Sequence, residues 1–198
     1  TRSVSIAVAL YILFNKKKRN ILIGPTSKQT SIIRNYLADL LVENEVLRKL
    51  LNKKASGIDR IREELSRTRM TFNNGCELTV LSAEGEAERL IGFGGDLIIL
   101  DESCLIKPEV YRARISRMLG DNPKAMLVEV SNPWTRDSHY WEHWGNHSFH
   151  RIHIDWRVAL AEGRTTQSFI DEQAVELTPT EFQILYESEF PDRAVDSL

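Results

Sequence analysis

The run Leu97-Ile98-Ile99-Leu100-Asp101-Glu102-Ser103 decides the fold. Four consecutive apolar residues fit a strand covered on both faces, which is the situation inside a parallel sheet. Segments of helical and strand period alternate before and after it. Val4, Ala7, Val8, Leu10, Tyr11 and Phe14 form a helical stripe. Ile21-Leu22-Ile23 predicts a short buried strand, stopped by Gly24-Pro25. Ile32, Ile33, Tyr36, Leu37, Leu40 and Leu41 give the next helix its apolar face, with Thr26 or Ser27 as the cap. A charged helix is expected over 58–67, and a hairpin over 70–81 with Asn73-Asn74-Gly75 as its turn. Residues 84–95 are polar and glycine-rich. Beyond the deciding strand, 108–119 reads as a helix, 125–130 as a strand and 149–154 as a further, alternating strand. Two helices fill the tail, the second starting at Thr178-Pro179. Strands separated by helices give an α/β class with a central, mainly parallel sheet flanked by helices.

The acids that end the run carry the chemistry. In open α/β sheets ligands bind beyond the carboxyl ends of the strands. An apolar strand followed by two carboxylates resembles a Walker B motif with its catalytic glutamate. Asp101 is then the candidate magnesium carboxylate, and Glu102 the candidate base for a water aligned with a γ-phosphate. A strand leaving the core into a polar loop is the plainer alternative. A phosphate loop of the form G-x-x-x-x-G-K-[ST] does not occur in the 198 residues. Gly92-Phe93-Gly94-Gly95 lacks the lysine and leads into a strand. Thr1, however, opens an apolar helix. The expectation is that Thr1 is the last residue of such a loop, its hydroxyl destined for magnesium, with the first helix offering its N-terminus to phosphate. An ordinary capping threonine is the alternative.

Composition narrows the class. With 42% hydrophobic and 27% charged residues, the chain fits one globular domain, or one with a short appendage, and not a disordered polymer. The apolar run Ile6 to Phe14 is too short to span a bilayer. The basic run follows it, so it does not read as a signal peptide. Two cysteines, Cys76 and Cys104, exclude a disulfide scaffold and a four-cysteine zinc site, and fit a reducing cytoplasm. The net charge of −2 hides a split: residues 1–70 hold 15 Lys+Arg against 6 Asp+Glu, a net of +9, and the remainder carries −11. Lys16, Lys17, Lys18, Arg19, Lys53 and Lys54, with Arg60 through Arg69, are candidate contacts to DNA phosphates, which need carry no sequence information. A solvated helix face explains the same run. All five histidines lie between His139 and His153. The spacing of His139, His143 and His147 could bring two onto one helical face as zinc ligands, but an aromatic helix with Trp141 and Trp144 is the preferred reading.

Taken in order, these segments resemble the ATPase domain of the large terminase subunit, the motor that packages DNA into tailed-phage heads. The resemblance rests on Ile21-Leu22-Ile23-Gly24-Pro25-Thr26, Leu81-Ser82-Ala83-Glu84-Gly85, Gly92, Asp101-Glu102, Val130-Ser131-Asn132-Pro133, the aromatic stretch 139–144, and 181–190. It implies a P-loop NTPase-like (ASCE) core using ATP and Mg2+, with Ser131 and Asn132 sensing the γ-phosphate and coupling hydrolysis to movement. An Asn-Pro turn is the alternative for that pair. The family's usual arginine before the glycine ahead of Walker B is replaced by Ile91, so Arg89 is the candidate arginine finger. A loop arginine paired with Glu86 or Glu88 is the alternative.

The expected division is a core over 1–165 and a helical segment over 166–198 leading toward a nuclease domain, for which no cluster of acids follows Phe190. Without its phosphate loop the fragment is expected to be inactive alone. The implied partners are double-stranded DNA, a portal protein, a small terminase subunit and further copies in a ring, with no membrane. The implied location is the host cytoplasm. A helicase-like nucleic-acid-dependent ATPase and a non-catalytic nucleic-acid-binding or assembly module remain the alternatives.

Overall fold

The computed structural model describes residues 2–51, 68–84, 94–120 and 122–192. The expectations placed on Thr1, Lys53, Lys54, Arg89, Gly92 and the helix over 58–67 lie outside the described residues. By compactness the chain falls into two units, Thr1–Val130 and Ser131–Leu198.

The first unit is a layered α/β structure. Helix α1 spans Arg2–Phe14, strand β1 Arg19–Gly24, helix α2 Ser27–Glu43 and the short α3 Glu45–Arg48. Strands β2 (Arg69–Thr71) and β3 (Glu77–Ser82) form the hairpin. Strand β4 (Leu97–Asp101) follows, then a 3-10 turn at Ser103–Leu105. Helix α4 covers 108–120, its middle section Tyr111–Ile115 in π register, and β5 is Met126–Val130. The sheet order is β2-β3-β1-β4-β5. All pairings are parallel except β2 with β3. The expected class is present.

Period-two alternation within the apolar strands divides their side chains between two cores. Leu22, Leu78, Val80, Leu97 and Ile99 pack with Val8, Ile12, Ile33, Leu37 and Leu41 of α1 and α2. Ile21, Ile23, Leu81, Ile98 and Leu100 pack with Ile106, Tyr111, Ile115 and Met118 on the α4 side. All five residues of β4 are buried, as its unbroken apolar run requires. Gly24 closes β1 where α2 approaches: a Cβ there would lie 2.8 Å from the Thr30 methyl. Thr26 caps α2, its hydroxyl accepting from the Gln29 amide at 3.2 Å.

The hairpin turn also closes two helices. Asn74 Nδ2 donates to the carbonyls of Ile12 (2.6 Å) and Asn15 (2.9 Å), which α1 leaves without intrahelical partners. Asn73 does the same for Lys49 and Leu51 beyond α3. Replacing Asn74 by Ala strands the Ile12 carbonyl and leaves that of Asn15 with the weak Cys76 thiol donor at 3.5 Å. We expect a loss of about 1–3 kcal/mol, measured as a lower denaturant midpoint with unchanged slope.

The second unit is helical. Helix α5 (His139–Trp144) is capped by Ser138, α6 (Trp156–Ala161) by Asp155 and α7 (Gln167–Glu176) by Thr166. Helix α8 begins at Pro179–Phe182 with a Thr178/Glu181 capping box and continues in π register over Gln183–Glu187. Phe190 packs edge-on against Trp141, with ring centroids 4.7 Å apart. The strand expected over 149–154 does not form. Ile152 and Ile154 are 70% and 54% exposed, and the segment is tied instead by His153 to the Glu187 carbonyl and by Ser188 to the Ile154 carbonyl. Alternation predicts a strand only where a neighbouring backbone completes the ladder.

Candidate nucleotide and metal site

The parallel register brings the carboxyl ends of β1, β3, β4 and β5 to one edge. Gly24 pairs with Ser82, Ile23 with Leu100, and Asp101 with Val130. That edge therefore carries Pro25-Thr26-Ser27, Ser82-Ala83-Glu84 and Asp101-Glu102-Ser103. Ser27 and Ser82 share a hydroxyl–hydroxyl hydrogen bond of 3.1 Å, and Ser82 donates to the Glu84 carbonyl at 2.8 Å.

Asp101 is 3% exposed. By alternation it shares a face with Leu97 and Ile99, the face covered by α1 and α2. Burial pushes its carboxyl above the ordinary carboxylate value. A buried carboxylate left charged is costly unless a cation meets it. A carboxyl in this position is either held protonated or met by a cation, and its oxygen donors suit a magnesium ion.

Glu102 is half-buried and takes a left-handed backbone, φ 50° and ψ 47°. For a residue with a Cβ this conformation costs about 1–2 kcal/mol, and such strain gathers at functional turns. It ends the strand abruptly and starts the turn in which the Leu105 amide bonds the Glu102 carbonyl at 2.9 Å and the Ile106 amide the Ser103 carbonyl at 3.1 Å. Ser103, fully buried, donates to Glu129 Oε1 on β5 at 2.6 Å. Sequence reasoning missed Glu129; the signal available for it is an acid inside the apolar run of β5.

Ser131 and Asn132 follow β5 in the second unit. Ser131 Oγ donates to the Asn132 carbonyl at 2.8 Å, the Trp134 amide bonds the same carbonyl at 3.0 Å, and Tyr140 OH donates to the Ser131 carbonyl at 3.4 Å. Both residues are partly exposed.

The basic run lies elsewhere. Lys16–Lys18 precede β1 and Arg19 opens it, at the opposite edge of the sheet from Asp101. With Asn20 paired to Leu97, about five residues of strand separate the two levels, roughly 16 Å at 3.3 Å per residue. Lys18 donates to Asp96 at 3.0 Å. Burial works to raise the Asp96 carboxyl, but the Arg19 amide and the Lys18 ammonium together hold it below its ordinary value. Asn122 is its third donor, at 3.2 Å. Lys18 is thus committed to the sheet, while Lys16, Lys17 and Arg19 are exposed.

His139 is buried and its ring meets His143 edge-on at 5.7 Å. The helix ends at Trp144, so His147 falls off its face. Among the described residues no group of three or more His, Cys, Asp and Glu could hold a metal ion. Both cysteines are buried and neither is in a disulfide, and among the described residues no helix is long and apolar enough to cross a membrane.

Comparison with solved structures agrees with this architecture. A mutant form of the ATPase domain of the Thermus phage P74-26 large terminase aligns with a TM-score of 0.69 at 18% identity, over 96% of this chain and 86% of that one. The same domain without the mutation aligns at 0.65 and 18% identity, over 96% and 85%. The large terminase of bacteriophage HK97 aligns at 0.65 and 16% identity; there 96% of this chain covers 44% of the other. At these identities the likeness is one of fold. No curated protein matches the chain. The model of the family "Terminase large subunit, T4likevirus-type, N-terminal" matches residues 1–195, and the chain belongs to that family.

Proposed function

We propose that this chain is the ATP-hydrolysing motor portion of a phage terminase large subunit, coupling hydrolysis to translocation of double-stranded DNA. The observation that carries the reading is the pair at the end of β4: a buried carboxyl at Asp101, and Glu102 on a strained left-handed turn beside it. Asp101 would hold magnesium, with Thr1 as a second oxygen ligand. Bound there, the ion would neutralise charge on the phosphates of ATP. Glu102 orients and deprotonates the attacking water. Ser131 and Asn132 carry the change at the γ-phosphate into movement, and Arg89 is the arginine offered to the transferring phosphoryl group. The functional division into a core of 1–165 and a helical segment of 166–198 belongs to the same reading. So do the portal protein, the small terminase subunit, a ring of copies and a host-cytoplasmic setting. The test is ATP turnover by the chain with its natural flanking sequence, with and without Glu102→Gln.

DNA binding falls to the exposed part of the basic edge, Lys16, Lys17 and Arg19, supplemented by Lys53 and Lys54. Lys18 contributes less, because its ammonium already meets Asp96. Removing one cation from a phosphate flattens the dependence of log affinity on log salt by about 0.9. The Lys16→Ala/Lys17→Ala pair should therefore reduce that slope by roughly 1.8 with any duplex sequence. An unchanged slope in a salt titration refutes the assignment.

A further inference from the structure

The geometry points to Ser103 and Glu129 as a positioning pair that holds Glu102 in its working conformation. The inference rests on the reading of Glu102 as the water-activating group. The chain crosses from one face of the sheet to the other at this place. Asp101 lies on the α1 face by alternation, whereas Glu129 pairs with Leu100, whose side chain packs on the α4 side. Glu102 makes the crossing, with φ 50° and ψ 47° and no side-chain cap on the turn that follows. A left-handed non-glycine residue persists only where its surroundings over-determine it. A side-chain restraint on the next residue is the 2.6 Å bond from Ser103 Oγ to Glu129 Oε1, which ties the turn to the neighbouring strand across 26 residues of chain.

A hydroxyl donating to a carboxylate is a charge-assisted bond, short and directional. Ser103 is fully buried, so water does not replace Glu129 when the bond is broken. Releasing the turn lets Glu102 leave the left-handed region for the broader right-handed one. The carboxylate that should face the attacking water then moves with it. The tether acts on the orientation of Glu102 and not on a phosphate contact of its own, so the effect is expected in kcat and not in KM.

The experiment compares Ser103→Ala, Glu129→Ala and Glu129→Gln in the chain with its natural flanking sequence. It reads ATP turnover and amide exchange at Leu105 and Ile106. Ser103→Ala and Glu129→Ala should lower kcat about tenfold with KM unchanged, since small misplacements of a reacting group have effects of this order or larger. Exchange at both amides should quicken about tenfold, as expected when one restraining bond is removed. Glu129→Gln keeps an acceptor oxygen and should stay near wild type in both readouts. Unmoved exchange in Ser103→Ala overturns the tether. So does a Glu129→Gln variant as impaired as Glu129→Ala, or a rise in KM at constant kcat. If Glu102→Gln retains full turnover, the catalytic reading falls and the kinetic part of this inference with it. Exchange, which needs no turnover, reads the tether independently.

Discussion

Glu102→Gln should lower ATP turnover by about 10²–10⁴-fold, the usual contribution of a positioned general base, while leaving the fold and nucleotide affinity in place. Gln has the length, volume and backbone preferences of Glu, so a loss of turnover would report the carboxylate and not packing. The residue is half-buried at the carboxyl edge of the sheet, where its side chain keeps access to solvent. The left-handed backbone supplies a control. Glu102→Gly removes the Cβ that makes φ 50° unfavourable, so stability should hold or rise by up to about 1 kcal/mol. That variant should be as inactive as Glu102→Gln. Preserved stability with lost turnover would separate function from fold at a single residue. Full turnover in Glu102→Gln would remove water activation from this side chain altogether.

What the sequence disclosed and what it withheld follow from the range of each interaction. Leu97–Leu100 is legible because burial on both faces leaves its mark in the run itself. The Thr26 cap and the Thr178/Glu181 box are legible because they act within one helical turn. The segment 149–154 misleads for the opposite reason. Its alternation is local, but a strand needs a partner, and the backbone that meets it contributes single bonds at His153 and Ile154 in place of a ladder. The basic run looks uniform in sequence. A partner 78 residues away separates Lys18 from its neighbours, and parallel register puts the whole run at the edge opposite Asp101. The Ser103–Glu129 bond is of the same kind: two ordinary polar residues until the crossover places them side by side. The π register at Tyr111–Ile115 has no compositional signature, and the apolar spacing there is that of a plain helix.

Asp101→Asn should lower magnesium-dependent turnover about 10³-fold and yet not destabilise the metal-free protein at neutral pH. Burial pushes the Asp101 carboxyl up, so its folded-state value lies above its unfolded one. A group shifted in that direction favours folding most when protonated. Its contribution is complete below the ordinary carboxylate range and is lost as pH rises through the raised value. Above that pH, in the absence of a cation, the wild-type chain carries a buried charge that Asn does not. Denaturant midpoints without magnesium should therefore place Asp101→Asn at or above wild type at pH 7, with the two converging as pH falls through the carboxylate range. Magnesium should then raise the wild-type midpoint in proportion to its occupancy and leave Asp101→Asn unmoved, because a ligand stabilises only the state that binds it. Turnover should drop on the order of 10³-fold, equivalent to several kcal/mol of charge stabilisation supplied through the ion. A variant less stable than wild type at neutral pH without metal would mean that the carboxylate already has its partner within the protein. An equal response of both proteins to magnesium would place the ion elsewhere. Only a buried acid that waits for a cation gives greater stability without metal and loss of turnover with it.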